Sequence, residues 1–215
     1  MTLTLYYHPL ASYCWKALIA LYENDIPFER TIVDLANPAQ RAELIALWPF
    51  AKFPVLRDHA RQRVIPESTT LIEYLSLHYP GPVTLVPSDP GAALEVRRLD
   101  RFLDTYIHDS MQRIVGDKLR PEDKHDPLGV EQARATLGLA YDVLERELQS
   151  KTWASGDVFT LADCAAAPAL YYANRVAPFG DSHPNVTSYL RRLHERPSFA
   201  RVFAEAQPYL PMFPG

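Results

Sequence analysis

Eleven residues lie between Pro54 and Pro66, and each proline sits in a motif that restricts the fold. Lys52-Phe53-Pro54-Val55-Leu56 reads as an apolar strand entered through a proline. Pro66-Glu67-Ser68-Thr69 reads as the start of a helix carrying a carboxylate and two hydroxyls. Between them the polar stretch from Arg57 to Arg63 gives way to the apolar pair Val64-Ile65, which predicts strand, hairpin loop, strand, helix. A proline at the entry to a strand has no amide to give to a ladder. A cis bond at that proline would turn the chain sharply and leave backbone groups facing outward. The helix start that follows presents unpaired amides suited to a carboxylate. Together the two motifs would hold a small, extended, peptide-like ligand with an anionic end.

The flanking sequence places this unit in a small α/β layer. Leu3 to Tyr7 is β-prone and stops at His8-Pro9. Trp15, Leu18, Ile19 and Tyr22 then recur at helical spacing, predicting a helix over about 12–24. Phe28 to Val33 predicts a second strand, and Pro38 to Leu47 a helix with Asn37 as its cap and Pro38 at its first position. After a last helix near 67–79, breakers dominate at Tyr79-Pro80-Gly81-Pro82 and Pro87-Ser88-Asp89-Pro90-Gly91. Everything beyond reads as helix. The expected division is an α/β unit over 1–80, a linker over 81–91 and an all-helical unit over 92–215. In the helical part, Leu99, Phe102, Leu103, Tyr106 and Ile107 mark one face of a long helix over roughly 90–118. A second helix is expected over about 128–150, a third from Thr160, a fourth near His183 and a last from Pro197 to Ala206. Thr160 with Asp163 three positions on forms a variant capping box, flanked by Phe159 and Cys164 as a hydrophobic staple.

Composition narrows the class. The 215 residues carry a net charge of −4, which argues against nucleic acid or an anionic membrane as partner. Two cysteines, Cys14 and Cys164, cannot make a disulfide framework and suit a reducing, cytoplasmic compartment. No basic region precedes the first apolar stretch, so no signal peptide is expected, and no apolar run approaches the ~18 residues of a membrane span. The seven histidines are scattered without metal-ligand spacing, so no metal site is expected.

Four segments together resemble the cytosolic glutathione transferases, of bacterial, serine- or theta-like type, over essentially the whole chain. They are Leu5-Tyr6-Tyr7-His8-Pro9 running through Ser12-Tyr13-Cys14-Trp15-Lys16, the Lys52–Leu56 segment, Pro66-Glu67-Ser68 followed by Ile72-Glu73-Tyr74-Leu75, and Phe159-Thr160-Leu161-Ala162-Asp163. The resemblance implies a thioredoxin-like domain that holds glutathione, a helical bundle domain that shapes a pocket for a small hydrophobic electrophile, and a homodimer. It also implies roles for residues. Pro54 would be a cis-proline, with Val55 pairing its backbone with the cysteinyl unit and Phe53 adding its main chain beside it. Ser68 would take the γ-glutamyl carboxylate, Glu67 would offset the ammonium, and Lys52 would meet the glycine carboxylate. Tyr106, Met111, Arg113 and Tyr172 would line the electrophile pocket.

Conjugation needs a thiolate, and a free thiol of pKa about 8.5 is only slightly ionised at neutral pH. Lowering it by two units requires about 2.7 kcal/mol. A hydrogen bond to a charged acceptor supplies ~1.5–3 kcal/mol and a helix N-terminus ~0.3–1 kcal/mol. One hydroxyl at the start of the first helix is therefore nearly enough. Counted back from that helix, the family's serine falls at Ala11; counted forward from Tyr6-Tyr7-His8-Pro9, it comes closer to Ser12. Ser12, the only serine in this loop, is the expected donor to sulfur, with Tyr7 as rival and Tyr13 as a weaker third. Aligned with a glutaredoxin Cys-x-x-Cys, Ala11-Ser12-Tyr13-Cys14 lacks the attacking cysteine but fills the resolving position. Disulfide reduction through Cys14 is the alternative chemistry, and a ligand-binding module without catalysis is a third reading.

Overall fold

A computed structural model describes residues 2–214. Its first part is built on one four-stranded sheet of order β2-β1-β3-β4, comprising Leu3–Tyr7 (β1), Glu29–Ile32 (β2), Val55–Asp58 (β3) and Arg63–Pro66 (β4). β1 runs parallel to β2 and antiparallel to β3, and β3 is antiparallel to β4. The parallel pair is joined by the helix Ser12–Glu23 (α1), as a parallel connection requires. As an inner strand β1 is covered on both faces. Leu3, Leu5 and Tyr7 enter the main core with α1 and Ser68–His78 (α3). Tyr6 points the other way, toward a small core of Val33, Val55 and Leu44 under Pro38–Leu47 (α2). The Asn37 side chain caps α2 through the amides of Ala39 and Gln40, with Pro38 in the first turn. The Phe53–Pro54 bond is cis, and the proline precedes β3 instead of opening it.

The rest is helical. Pro90–Phe102 (α4) runs into a π-helical stretch, Leu103–His108, and on into Asp109–Lys118 (α5). Pro127–Glu147 (α6), Leu161–Val176 (α7), Pro184–Glu195 (α8) and Pro197–Ala206 (α9) follow. A 3-10 segment, Gln207–Met212, leads back toward the sheet. The long helix expected over 90–118 is present, but the π turn shifts its faces. Its wider i→i+5 closure, seen in Asp109 N–H bonding to Asp104 C=O, accommodates one extra residue per turn. Leu99, Leu103 and Ile107 stay buried, whereas Tyr106, expected on that face, is turned half out to solvent and His108 is turned in. The Thr160–Asp163 capping box forms as expected at the start of α7.

The two parts share one core. Trp15 of α1 packs on Tyr172 and Tyr171 of α7, with ring centroids 4.9 and 5.2 Å away, and on Phe199 of α9. Beside it, the buried Lys16 Nζ pairs with Asp100 and Asp104 and donates to Thr69 Oγ1 of α3. Among the described residues no helix is long and apolar enough to cross a membrane.

Candidate active site

Two cavities border the start of α1, one at Tyr13 and the other at Ala11 and Ser12. The first, about 470 Å³, is bordered by Phe53, cis-Pro54 and Lys52 on one side and by Glu67, Ser68 and Thr69 at the start of α3 on another. Tyr13, Trp48, Arg101, Asp104 and Asp109 complete its wall. Its size suits a small organic ligand. The sequence motifs converge here because the hairpin returns β4 beside β3 in register, Val55 opposite Pro66. The end of β4 therefore delivers Glu67 next to Pro54.

Several groups in this wall are left open for a ligand. Glu67, the cap residue of α3, has φ 67° and ψ 119°, a left-handed conformation that costs a non-glycine residue of order 1–3 kcal/mol. That conformation swings its side chain out to solvent and leaves the helix amides uncapped by it. Ser68, in the first turn, is buried and makes no side-chain hydrogen bond among the described residues. Lys52 is exposed and has no ion-pair partner among them. Val55 is buried beneath this edge, so only its main chain is available to a ligand. Asp104 is buried with its Oδ1 unpartnered, and burial raises its carboxyl against the opposing pull of Lys16.

The second cavity, about 300 Å³, lies on the other side of the α1 start and is mostly apolar. Leu10, Ala11, Met111, Val115, Tyr172 and Phe213 line it, with His8, Ser12 and Gln112 as polar groups. Met111 and Tyr172, expected in the electrophile pocket, both border this cavity, and Tyr172 is anchored by donating to the carbonyl of Leu10 at 2.9 Å. Tyr106 and Arg113 do not line it. The π turn carries Tyr106 outward, and Arg113 is exposed in a separate polar groove with Gln112, Asp117 and Arg120.

At the start of α1, Ser12 of the second cavity's lining forms a hydrogen-bonded pair with a buried histidine. Ser12 Oγ lies 2.7 Å from His108 Nε2, and both residues are buried. The His108 ring stacks on Tyr13 with centroids 3.7 Å apart and planes at 10°, and the Gln112 amide lies 3.2 Å from the same Nε2. Burial, helped by nearby Lys16, pushes the His108 imidazole down to about 3, so the ring is neutral at pH 7. The sequence offers Ser12 as a candidate but gives no sign of His108, whose placement depends on the π turn.

The other candidates for thiol activation fare differently. Tyr7 is buried in the main core, where burial raises its phenol against the opposing pull of Arg30, and it lines neither cavity. Tyr13 borders the first cavity, with burial raising its phenol too. Cys14 is completely buried and its thiol is pushed up by desolvation, which suits packing and not disulfide exchange, since that needs an accessible thiolate. Among the described residues no cluster of three or more His, Cys, Asp or Glu side chains is placed to hold a metal ion.

Comparison with known proteins supports the same grouping. Residues 5–83 match the N-terminal domain model of glutathione S-transferases and residues 102–197 the C-terminal domain model. The chain is 25% identical over 189 residues to glutathione S-transferase GstB of Escherichia coli K12, covering 87% of this chain and 90% of that protein. It is 30% identical over 210 residues to a stringent starvation protein A homolog of Coxiella burnetii, covering 95% and 93%. A solved glutathione S-transferase from Methylobacterium radiotolerans, in complex with glutathione sulfonate, superposes with a TM-score of 0.81 at 30% identity over 93% of each chain. With both domain models matched in order, the chain belongs to the cytosolic glutathione S-transferase family.

Proposed function

We propose that this protein binds glutathione in the first cavity, stabilises its thiolate through Ser12, and conjugates the sulfur to a hydrophobic electrophile held in the second. The observation that carries this reading is the Ser12–His108 pair at the start of α1, Ser12 bordering the second cavity and His108 stacked on Tyr13, which borders the first. In the first cavity Ser68 and the α3 amides take the γ-glutamyl carboxylate. Glu67 and Asp104 receive the ammonium, and Lys52 takes the glycine carboxylate. Phe53 and Val55 offer main-chain groups to the cysteinyl unit beside cis-Pro54. His108 Nε2, accepting from the Gln112 amide, holds Ser12 Oγ at the start of α1, and the serine hydroxyl turns its proton to the sulfur when glutathione binds. That bond and the α1 N-terminus together supply the ~2–4 kcal/mol that a two-unit fall in thiol pKa demands. The reading divides the chain into a glutathione-holding unit over 1–80 and an electrophile-shaping unit over 92–215, acting as a homodimer in the cytoplasm.

Calorimetry with reduced glutathione, thiolate absorbance against pH and turnover of chlorodinitrobenzene test it together. Ser12→Ala is expected to raise the bound-thiol pKa and slow conjugation about ten- to hundredfold, the value of one charge-assisted hydrogen bond. Tyr7→Phe is expected to change either quantity by less than about twofold, since Tyr7 lines neither cavity. No heat of association at millimolar glutathione would end this reading. Association without turnover of any activated halide would make the protein a ligand-binding module.

A further inference from the structure

We propose that a third cavity, formed where α1, β2 and α9 come together, binds a small phosphorylated polyol, with Arg30 and Arg201 gripping the phosphate and Asp25 receiving a hydroxyl. It measures about 240 Å³ and shares no lining residue with either cavity described above. Tyr22 and Phe28, both half-buried, bring two aromatic rings to its lining. Arg30 comes from β2 and Arg201 from α9. Their guanidiniums converge on a single oxygen, Arg30 Nη1 lying 3.0 Å and Arg201 Nε 3.2 Å from Glu205 Oε1. Glu205 Oε2 is taken by the Tyr22 hydroxyl at 2.8 Å. Both cations also rest on the Tyr22 ring, Arg201 at 4.0 Å and Arg30 at 5.6 Å from its centroid, and Arg30 is 5.6 Å from the Phe28 ring as well.

This arrangement fixes positive charge in place without neutralising it. Two guanidiniums drawn to one carboxylate leave an excess cation between them, and aromatic faces orient a guanidinium while leaving its charge intact. Among the described residues neither terminal nitrogen of Arg201 makes a hydrogen bond, so its outer N–H groups stay open. A planar fork of donors matches phosphate oxygens, and two forks from different elements can meet a dianion that one alone would leave half-balanced. Asp25 is the only carboxylate among the described lining residues; it is exposed and pairs with neither arginine. An ionised carboxylate can only accept hydrogen bonds. It therefore favours hydroxyls on the body of the ligand and repels a second anionic group. The volume lies below the ~300 Å³ at which drug-sized ligands are held, which limits that body to a few carbons. A glycerol-sized phosphate monoester satisfies all three conditions. The site is independent of the conjugating reading.

Calorimetric titration of the full chain at fixed ionic strength tests this, with glycerol 3-phosphate, inorganic phosphate and glycerol as probes. Saturable binding of glycerol 3-phosphate is expected, tighter than that of inorganic phosphate, with no heat from glycerol alone. Arg201→Met keeps an apolar stem over Tyr22 and is expected to weaken glycerol 3-phosphate at least about tenfold, as loss of a hydrogen bond to a charged group does. Arg201→Lys keeps the charge but not the fork, so a smaller weakening is expected, and it serves as the second variant should the first fail to fold. Asp25→Ala separates the two grips: glycerol 3-phosphate binds more weakly, while inorganic phosphate binds unchanged or more tightly because a neighbouring negative charge is gone. No saturable heat from either anion up to about 10 mM overturns the site. So does an affinity within about twofold of wild type in both Arg201 variants. Equal affinity for glycerol 3-phosphate and inorganic phosphate overturns the assignment of the ligand.

Discussion

His108 concentrates the residue-scale physics of this protein. It is buried and neutral, and its imidazole is pushed down to about 3 by burial, with Lys16 acting in the same direction. An unfolded histidine titrates near 6.5, so between about pH 6.5 and 3 the unfolded chain binds a proton that the folded chain refuses. The stability from this group is fully present above the unfolded pKa and is lost as pH falls, at up to about 1.4 kcal/mol per pH unit. Asp104, whose carboxyl is raised, acts with the opposite sign, so the informative quantity is the difference between proteins. His108→Gln is expected to flatten the fall of Tm between about pH 6 and pH 4 relative to wild type. Parallel Tm profiles would show that the ring is not refused its proton. The lone histidines were uninformative in sequence because a ligand, a core residue and a hydrogen-bonding partner look alike until the neighbours are known. Ser12 could be singled out as a candidate because it is the only serine in the loop leading into a recognisable helix.

At the scale of elements, the helix ends obey local rules and the helix middles do not. The start of α7 was legible from Thr160 and Asp163 alone. The structure adds that Asp163 also accepts from the amides of Ala154 and Thr160 and from the Tyr189 hydroxyl, fastening the loop before α7 and α8 to its first turn. Asp163→Ala would leave several buried donors without partners, at about 1–3 kcal/mol each. A loss of at least about 2 kcal/mol is expected, read as a lower urea midpoint at unchanged m-value. A shift under about 0.5 kcal/mol would show that water replaces the carboxylate. The π turn at Leu103–His108 left no comparable mark. Its residues suit an ordinary α-helix, and the extra residue per turn shows only in the backbone closure and in which side chains turn inward.

Across the whole molecule, one buried cluster ties the sheet-bearing part to the helical part. Lys16 of α1 meets Asp100 and Asp104 of the long helix, while Thr69 of α3 links to both Lys16 and Asp100. Two carboxylates face one ammonium, and one oxygen of each has no geometrically sound hydrogen bond. Removing the cation leaves two buried carboxylates without their counter-charge. Lys16→Met is therefore expected to cost about 3–5 kcal/mol, and adding Asp100→Asn and Asp104→Asn to recover a large part of it. Denaturant unfolding of the single and triple variants checks this. A single-variant loss below about 1 kcal/mol would mean that the carboxylates simply take up protons.

Local chemistry was enough to place most elements, because prolines, caps and apolar periodicity act over a few residues. It also brought Pro54 and Glu67-Ser68 to one edge, since a short hairpin leaves them nowhere else to go. The meeting of Ser12 with His108, of Lys16 with its two aspartates and of His8 with the second cavity joins positions far apart in the chain. Those contacts arise only when α1 packs between the sheet and the helical part, where burial and helix phase, not local propensity, choose which side chains face each other.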